Sequence, residues 1–271
     1  MFEGKTWWIT GASSGIGAAL ARELADRGAA LILSGRNRDA LAAVAADCGP
    51  NLILPFEATD LAALPAVTAA AWGWRGRVDG LVNNAGISQR SLALDTAWEV
   101  YDRIIDVDLK APIALTQANL GRLVEAGGGR IVAISSVAGL AGIPLRSAYC
   151  AAKHGLVGYH DAIRAELAGK GVEVLVVCPG SVATDVSRNA LGPDGERRGV
   201  SDPVIDNGLD AGVAATRIAD AIQAGTRELI LTKGPEESGL AALRRSDPDA
   251  AFDRMAALAA SDYARQMGAT A

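Results

Sequence analysis

Seven short apolar runs alternate along this chain with longer Ala- and Leu-rich stretches of helical period, and very few folds accommodate that order. The runs at 5–10 (KTWWIT), 30–33, 51–56, 78–83, 130–135, 172–178 and 228–232 have strand length. The stretches at 18–27, 38–47, 62–72, 96–109, 112–125 and 148–168 repeat their apolar residues at helical spacing. Within the runs, Val, Ile and Leu follow one another instead of alternating with polar residues. That pattern suits strands covered on both faces, as in parallel sheets whose helical crossovers lie above and below. The prediction is an α/β fold, a doubly wound parallel sheet of about seven strands with helices on both faces.

No linker or internal repeat divides residues 1–271, so a single domain is expected. With half its residues hydrophobic it can bury a substantial core. Two stretches depart from the rhythm. Residues 184–207 scatter Gly192, Pro193, Gly195, Gly199 and Pro203 among charged side chains. A long irregular segment after a strand is more often functional than structural, and a mobile substrate lid is expected there. Its arginines at 196–198 read as solvated loop charge. From 235 onward the chain is polar and Ala-rich, and reads as a surface tail holding one or two short helices.

Charge and cysteine usage exclude several classes of function. Lys and Arg number 26 against 31 Asp and Glu, for a net charge of −5 without a basic block. Nucleic acid and anionic membrane surfaces are thereby disfavoured as partners, since both need concentrated positive charge. Cys48, Cys150 and Cys178 have no CxxC spacing and only two histidines accompany them, so neither a disulfide framework nor a metal site is expected. The first residues, MFEGKTWWIT, show no signal-peptide pattern, and no apolar run has the length of a membrane span. A cytoplasmic protein is expected.

The first run leads directly into Gly11-Ala12-Ser13-Ser14-Gly15-Ile16-Gly17, which opens the first helical stretch. Gly11 permits a tight turn, Gly15 lets backbone N–H groups approach a diphosphate, and Gly17 lets the helix pack closely on the sheet. The helix N-terminus adds partial positive charge. A flexible loop would also explain a lone glycine cluster, but the strand before and the helix after favour a Rossmann-like dinucleotide site. Tyr149 and Lys153, four apart, share one face of a later helix. A phenol is a poor acid or base near neutrality, and an adjacent ammonium favours its ionised form, so such a pair can move protons. By itself the pair would read as a packed tyrosine beside a snorkelling lysine.

The Gly-x-x-x-Gly-x-Gly spacing, Asn84-Ala85-Gly86 after the fourth run, Ser136 after the fifth, Tyr149-x-x-x-Lys153 and Pro179-Gly180 after the sixth occur together in this order. In these motifs the chain resembles the short-chain dehydrogenase/reductase family. The resemblance implies an enzyme that moves a hydride between a nicotinamide cofactor and an alcohol or carbonyl compound. It makes Tyr149 the proton donor and acceptor, and Lys153 its partner, bonded also to the nicotinamide ribose. Ser136, thirteen residues before Tyr149, becomes the group that holds the substrate oxygen. Ser14, Ile16 and the glycines would line the diphosphate; Ser13 would add a hydroxyl beside Arg36; Glu57 and Ala58 would line the adenine; Asn84, Ala85 and Gly86 the adenosine ribose; and Pro179, Gly180, Val182 and Thr184 the nicotinamide. Where NAD-using relatives carry an aspartate this chain has Gly35, followed by Arg36, whose guanidinium suits a 2′-phosphate; NADP is expected and NAD is the second choice.

Two positions depart from the family pattern. Glu57 stands where the resemblance implies an aspartate. Asp108 stands where it implies an asparagine that bends a helix and links the lysine to solvent, and a carboxylate near Lys153 is expected to re-tune the pH dependence. His154 and His160 read as packing or surface residues, and Cys150 as a small helix residue. Substrate is expected against Ala138, Ile143, Leu145, Ser88, Gln89 and the 184–207 segment. The resemblance further implies a homodimer or homotetramer paired through the long helices. The alternative function is a catalytically silent nucleotide-binding regulator or scaffold on the same fold, with an epimerase or dehydratase as a third possibility.

Overall fold

Parallel pairing of the apolar runs organises the molecule. In the computed structural model, which describes residues 1–261, the strands are β1 (Thr6–Thr10), β2 (Ala30–Ser34), β3 (Asn51–Ile53), β4 (Gly80–Asn83), β5 (Gly129–Ile134), β6 (Val172–Pro179) and β7 (Glu228–Leu231). They form one parallel sheet in the order β3-β2-β1-β4-β5-β6-β7. The order reverses between β1 and β4, and in open α/β sheets the crevice beyond the strand ends at that reversal is where ligands bind. The expected architecture is therefore present.

The helices are α1 (Gly15–Asp26), α2 (Arg38–Ala45), α3 (Leu64–Arg75), α4 (Trp98–Ile105), α5 (Ala111–Glu125), α6 (Ser147–Glu166), the single turn α7 (Pro203–Asp206), α8 (Ala211–Gln223), α9 (Pro235–Ser246) and α10 (Pro248–Ala260). Two apolar layers flank the sheet. One packs Trp7, Ile9, Leu31 and Leu33 against α1, α2 and α8, and the other packs Trp8, Ile32, Leu81 and Ile131 against α3, α5 and α6. Successive residues of each strand face opposite layers, so continuous apolar runs are what this sheet requires.

Several boundaries differ from the sequence expectation, each for a local reason. α1 begins three residues earlier, because Gly15 at φ +54° completes the glycine turn and starts the helix at once. The third strand stops at Ile53, after which Leu54 and Phe56 still donate to Leu33 and Gly35 without continuing the ladder. The helices expected at 96–109 and 112–125 are one continuous stretch, joined by a π turn at Asp106–Lys110 in which the Ala111 N–H reaches back to the Asp106 carbonyl. Pro112, expected to start a separate helix, sits in the first turn of α5, where a missing N–H is tolerated.

The 184–207 segment, where a substrate lid is expected, is tied to the body at several points. Leu191 bridges Gln89 on one side and Arg197 on the other, and the Ala97 N–H donates to Pro193. At its base Asp202 is fully buried and pairs with Arg90 Nε and Arg198 Nη1, each at 2.6 Å, with Arg146 at 3.9 Å. Arg198 is thus a buried anchor and not the solvated charge expected. Burial opposes the Asp202 charge, but Arg90 and Arg198 outweigh it and hold the carboxyl below the usual aspartate range.

Candidate active site

The strand ends place a crevice of about 380 Å³ over the point where the sheet order reverses. One end is formed by Ser34, Gly35, Arg36, Phe56, Glu57 and Ala58. Its middle is formed by Gly11, Ser13, Ser14, Gly15, Ile16, Asn84, Ala85 and Gly86. The other end holds Asp108, Ser136, Tyr149, Lys153, Pro179, Gly180, Val182 and Thr184. Every residue expected to hold the cofactor lines this crevice except Gly17. A β-carbon on Gly17 would run into the Gly11 carbonyl and the Asn84 amide, so this glycine serves helix–sheet packing.

Thr10 and Asn84 clamp the middle. The Thr10 hydroxyl accepts the Asn84 and Ala85 N–H groups at 3.0 and 3.1 Å. The Asn84 amide donates in return to the Thr10 and Gly11 carbonyls at 3.0 and 3.2 Å. Gly11, at φ +64°, leaves so little room that a β-carbon would lie 2.8 Å from Ala85 Cα. Ser14 precedes α1 in extended conformation without a capping side-chain bond, and the first turn carries no acid. The helix N-terminus therefore presents uncompensated positive charge beside the crevice, which is the chemistry an anionic diphosphate needs. At the first end, Arg36 lies 3.6 Å from Glu57, both about half exposed. A β-carbon on Gly35 would stand 3.6 Å from the Ser13 hydroxyl, so Ser13 and Arg36 flank a space that no aspartate fills.

Ser136 leaves β5 in extended conformation, and its hydroxyl donates to the Pro179 carbonyl at 3.3 Å and accepts the Ala138 N–H at 3.1 Å. The preceding Ser135 turns the other way, as expected of extended backbone, and fastens α6 through the Lys153 carbonyl at 3.0 Å. Tyr149 stands in the first turn of α6 and Lys153 one turn later, its Nζ 5.5 Å from the tyrosine ring centre. The Lys153 ammonium donates to the Ile134 carbonyl at 3.1 Å and pairs with Asp108 Oδ2 at 3.2 Å.

Asp108 is wholly buried, and its second oxygen accepts the Ile87 N–H at 2.8 Å. A β-carbon on Gly86 would fall 3.1 Å from Asp108 Oδ2 and 3.3 Å from Lys153 Nζ, so a larger residue there would press on the pair. Burial opposes both charges. For Lys153 the Asp108 carboxylate and the Tyr149 phenol outweigh burial and hold the ammonium above the ordinary lysine value. For Asp108 burial prevails and holds the carboxyl above the usual aspartate range. Because Pro112 has no N–H, the Asp108 carbonyl also lacks its usual helical donor four residues on.

Of the wall expected around a substrate, the 184–207 segment lines the crevice and the other residues do not. Ala138, Ile143, Leu145, Ser88 and Gln89 do not line the crevice. Gln89 is a buried clamp that accepts the Ala148 N–H at 2.9 Å and donates to Ser91 and Thr96, and Ser88 accepts from Arg90. Leu145 is buried at φ +66°, and Ile143 packs against α9 and α10. Val107 lines it instead, together with Asn189, Leu191, Arg197 and Ile205 of the 184–207 segment. Only the irregularity of 184–207 hinted at four of these, and nothing in the sequence singled out Val107. His160, as expected, is a packing residue: its Nδ1 bonds the Leu156 carbonyl at 2.8 Å, and burial pushes its pKa down to about 4. Cys150 is buried, and burial raises its thiol above the usual value.

With this geometry in place, comparison with known proteins is decisive. The family model described as short chain dehydrogenase matches residues 5–193. The chain belongs to the short-chain dehydrogenases. The human protein named dehydrogenase/reductase SDR family member 7 is 40% identical over 193 residues, 68% of this chain and 57% of the human one. The bovine family member 7B is 35% identical over 261 residues, 93% of this chain and 80% of its own length. Among solved structures, a short-chain dehydrogenase/reductase from Burkholderia phymatum in complex with NAD superposes with a TM-score of 0.82 at 26% identity, covering 92% of this chain and 95% of that one. Levodione reductase gives 0.77 at 28% identity, covering 88% and 99%. The short-chain dehydrogenases are oxidoreductases that act on CH–OH groups with a nicotinamide dinucleotide, and the crevice fits that cofactor: a glycine turn and an uncapped helix N-terminus for the diphosphate, with open space on either side. Among the described residues no helix is long and apolar enough to cross a membrane.

Proposed function

We propose that this chain is an NADP(H)-dependent oxidoreductase that interconverts an alcohol and a carbonyl compound through Ser136, Tyr149 and Lys153. The observation that carries the reading is their convergence at one end of a crevice whose other end offers Ser13 and Arg36 around an empty acidic position. The bound dinucleotide supplies the hydride donor or acceptor. Gly11–Gly15 and the α1 N-terminus would hold its diphosphate, Arg36 and Ser13 its 2′-phosphate, Glu57, Ala58 and Asn84–Gly86 its adenosine, and Pro179–Thr184 its nicotinamide end. Tyr149 gives its phenolic proton to the carbonyl oxygen in reduction and takes one from the alcohol in oxidation. The Lys153 ammonium stabilises the charge left on the phenol oxygen. The Ser136 hydroxyl turns from the Pro179 carbonyl to the substrate oxygen and steadies it as charge develops. A screen of carbonyl compounds with NADPH and NADH, followed at the nicotinamide absorbance, tests the reading, and absence of turnover with every compound would count for the silent-scaffold alternative. That alternative rested on Asp108, which here holds Lys153 in place and obstructs nothing.

Cofactor choice is testable at Arg36. Its charge-assisted bond to a 2′-phosphate is absent with NAD(H), so Arg36→Ala is expected to weaken NADPH binding by roughly tenfold or more and to leave NADH within about twofold. Equal losses for both cofactors would refute the assignment. Glu57→Gln removes the competing carboxylate and is expected to tighten NADPH alone.

Asp108 is proposed to position Lys153 and to keep it charged. Asp108→Asn removes the carboxylate that raises the Lys153 pKa, so the ammonium is lost at lower pH. The alkaline limb of the kcat/KM profile is then expected to move toward neutrality, with kcat near neutral pH retained. Superimposable profiles for the two proteins would dismiss this role. We further propose a homodimer or homotetramer paired through α4–α5 and α6. Trp98, 70% exposed and stacked on Tyr101, presents an apolar surface on α4, and light scattering measures the assembly directly.

A further inference from the structure

Residues 235–260, expected to hold one or two short helices on the surface, form α9 and α10 and pack beside the site. Leu240 and Ala251 are buried against Ala141, with Ile143, Leu243 and Met255 packed around them. The helix pair α9–α10 thus rests on the loop that separates Ser136 from Tyr149. Arg245 at the far end of α9 makes a bidentate bond to Glu228 of β7, with both contacts at 2.8 Å. A helix held at two places carries its first turn to a defined position. There Glu237 reaches the Pro179–Ser181 turn: its Oε1 accepts the Ser181 N–H at 2.8 Å, and its carboxylate occupies the space a β-carbon on Gly180 would need.

The rest of that turn is tied elsewhere. The Gly180 N–H donates to Leu231 at 2.9 Å, the Ser181 carbonyl accepts from Leu209 at 2.8 Å, and the Pro179 carbonyl takes the Ser136 hydroxyl. Glu237 supplies the acceptor for the one remaining N–H, and the bond is charge-assisted. Gly180 and Val182 line the crevice beside Ser136. The carboxylate therefore sets the tilt of the 180–181 peptide, and through it the wall on which the nicotinamide end would rest.

We propose that Glu237 is a positioning residue that shapes the nicotinamide side of the crevice from the C-terminal helix pair. The inference rests on the dinucleotide reading above, and its test separates the two. Binding of NADPH and of 2′,5′-ADP is measured by calorimetry for the wild type, Glu237→Ala and Glu237→Gln, with NADH and ADP run alongside to cover a wrong 2′-phosphate assignment. The adenosine half lies at the far end of the crevice from Glu237. Glu237→Ala is therefore expected to weaken the whole dinucleotide by roughly tenfold and leave the half-molecule unchanged. Glu237→Gln, which keeps an acceptor oxygen, is expected to recover most of the loss. Gly180→Ala, which displaces the carboxylate from the other side, is expected to reproduce the alanine variant. Equal weakening of dinucleotide and half-molecule, or no weakening of either by Glu237→Ala, overturns the proposal. A wild type that binds neither the dinucleotides nor their halves overturns the dinucleotide reading itself.

Discussion

Replacing Tyr149 by phenylalanine is expected to lower kcat by about 10²–10⁴-fold while leaving NADPH affinity within about twofold. The substitution removes one oxygen and preserves the ring. The Lys153 ammonium, 5.5 Å from the ring centre, keeps its aromatic neighbour, its bond to Ile134 and its pairing with Asp108. Packing is disturbed little, so the loss falls on proton transfer. Single-turnover kinetics beside calorimetric cofactor binding give the two numbers. A variant that kept a tenth of the wild-type kcat would show that another group moves the proton. A variant that lost binding as well would show that the phenol is needed to build the crevice.

The largest expected effect on stability lies away from the chemistry, at Asp202. Asp202→Ala is expected to cost about 3–5 kcal/mol, because it deletes a fully buried carboxylate and with it the two 2.6 Å pairings that offset the desolvation of the Arg90 and Arg198 side chains. For a chain of this size that corresponds to a fall in Tm of roughly 10 °C. Asp47→Ala, which breaks the half-exposed pair with Arg22, is the control and should cost less than about 1 kcal/mol. Thermal and denaturant unfolding of the two variants decide the matter: equal shifts would mean that the Asp202 cluster contributes no more than a surface ion pair. Since Asp202 fastens the segment that carries Leu191, Arg197 and Ile205 into the crevice, its loss should raise substrate KM more than cofactor Kd.

Most of the fold was legible in the chain, and the residues expected around a cofactor, Gly17 apart, line one crevice. Continuous apolar runs leave a parallel sheet little alternative, and Gly11, Gly15 and Gly17 each answer a local demand on backbone shape that shows in the residue itself. Ser136, Tyr149 and Lys153 were readable because each stands at a strand end or in a helix's first turn, where position follows from the pattern. Part of the wall expected around a substrate does not line the crevice. Ile143 and Leu145 are apolar and adjacent to the chemistry in sequence, but α9 and α10 claim one for packing and a buried left-handed turn claims the other.

Short-range order along the chain determined the strands, the glycine turn, the sheet's parallel character and the spacing of Tyr149 and Lys153, since those depend on residues within a few positions of one another. Tertiary structure alone decided that Asp202 gathers arginines from three separate segments, and that Glu237 crosses 56 residues to meet Ser181. Those contacts involve charged side chains with no periodic signature. A carboxylate in the sequence reads as solvated until a fold surrounds it, and its burial must then be offset by whatever cation or N–H the fold has brought within reach.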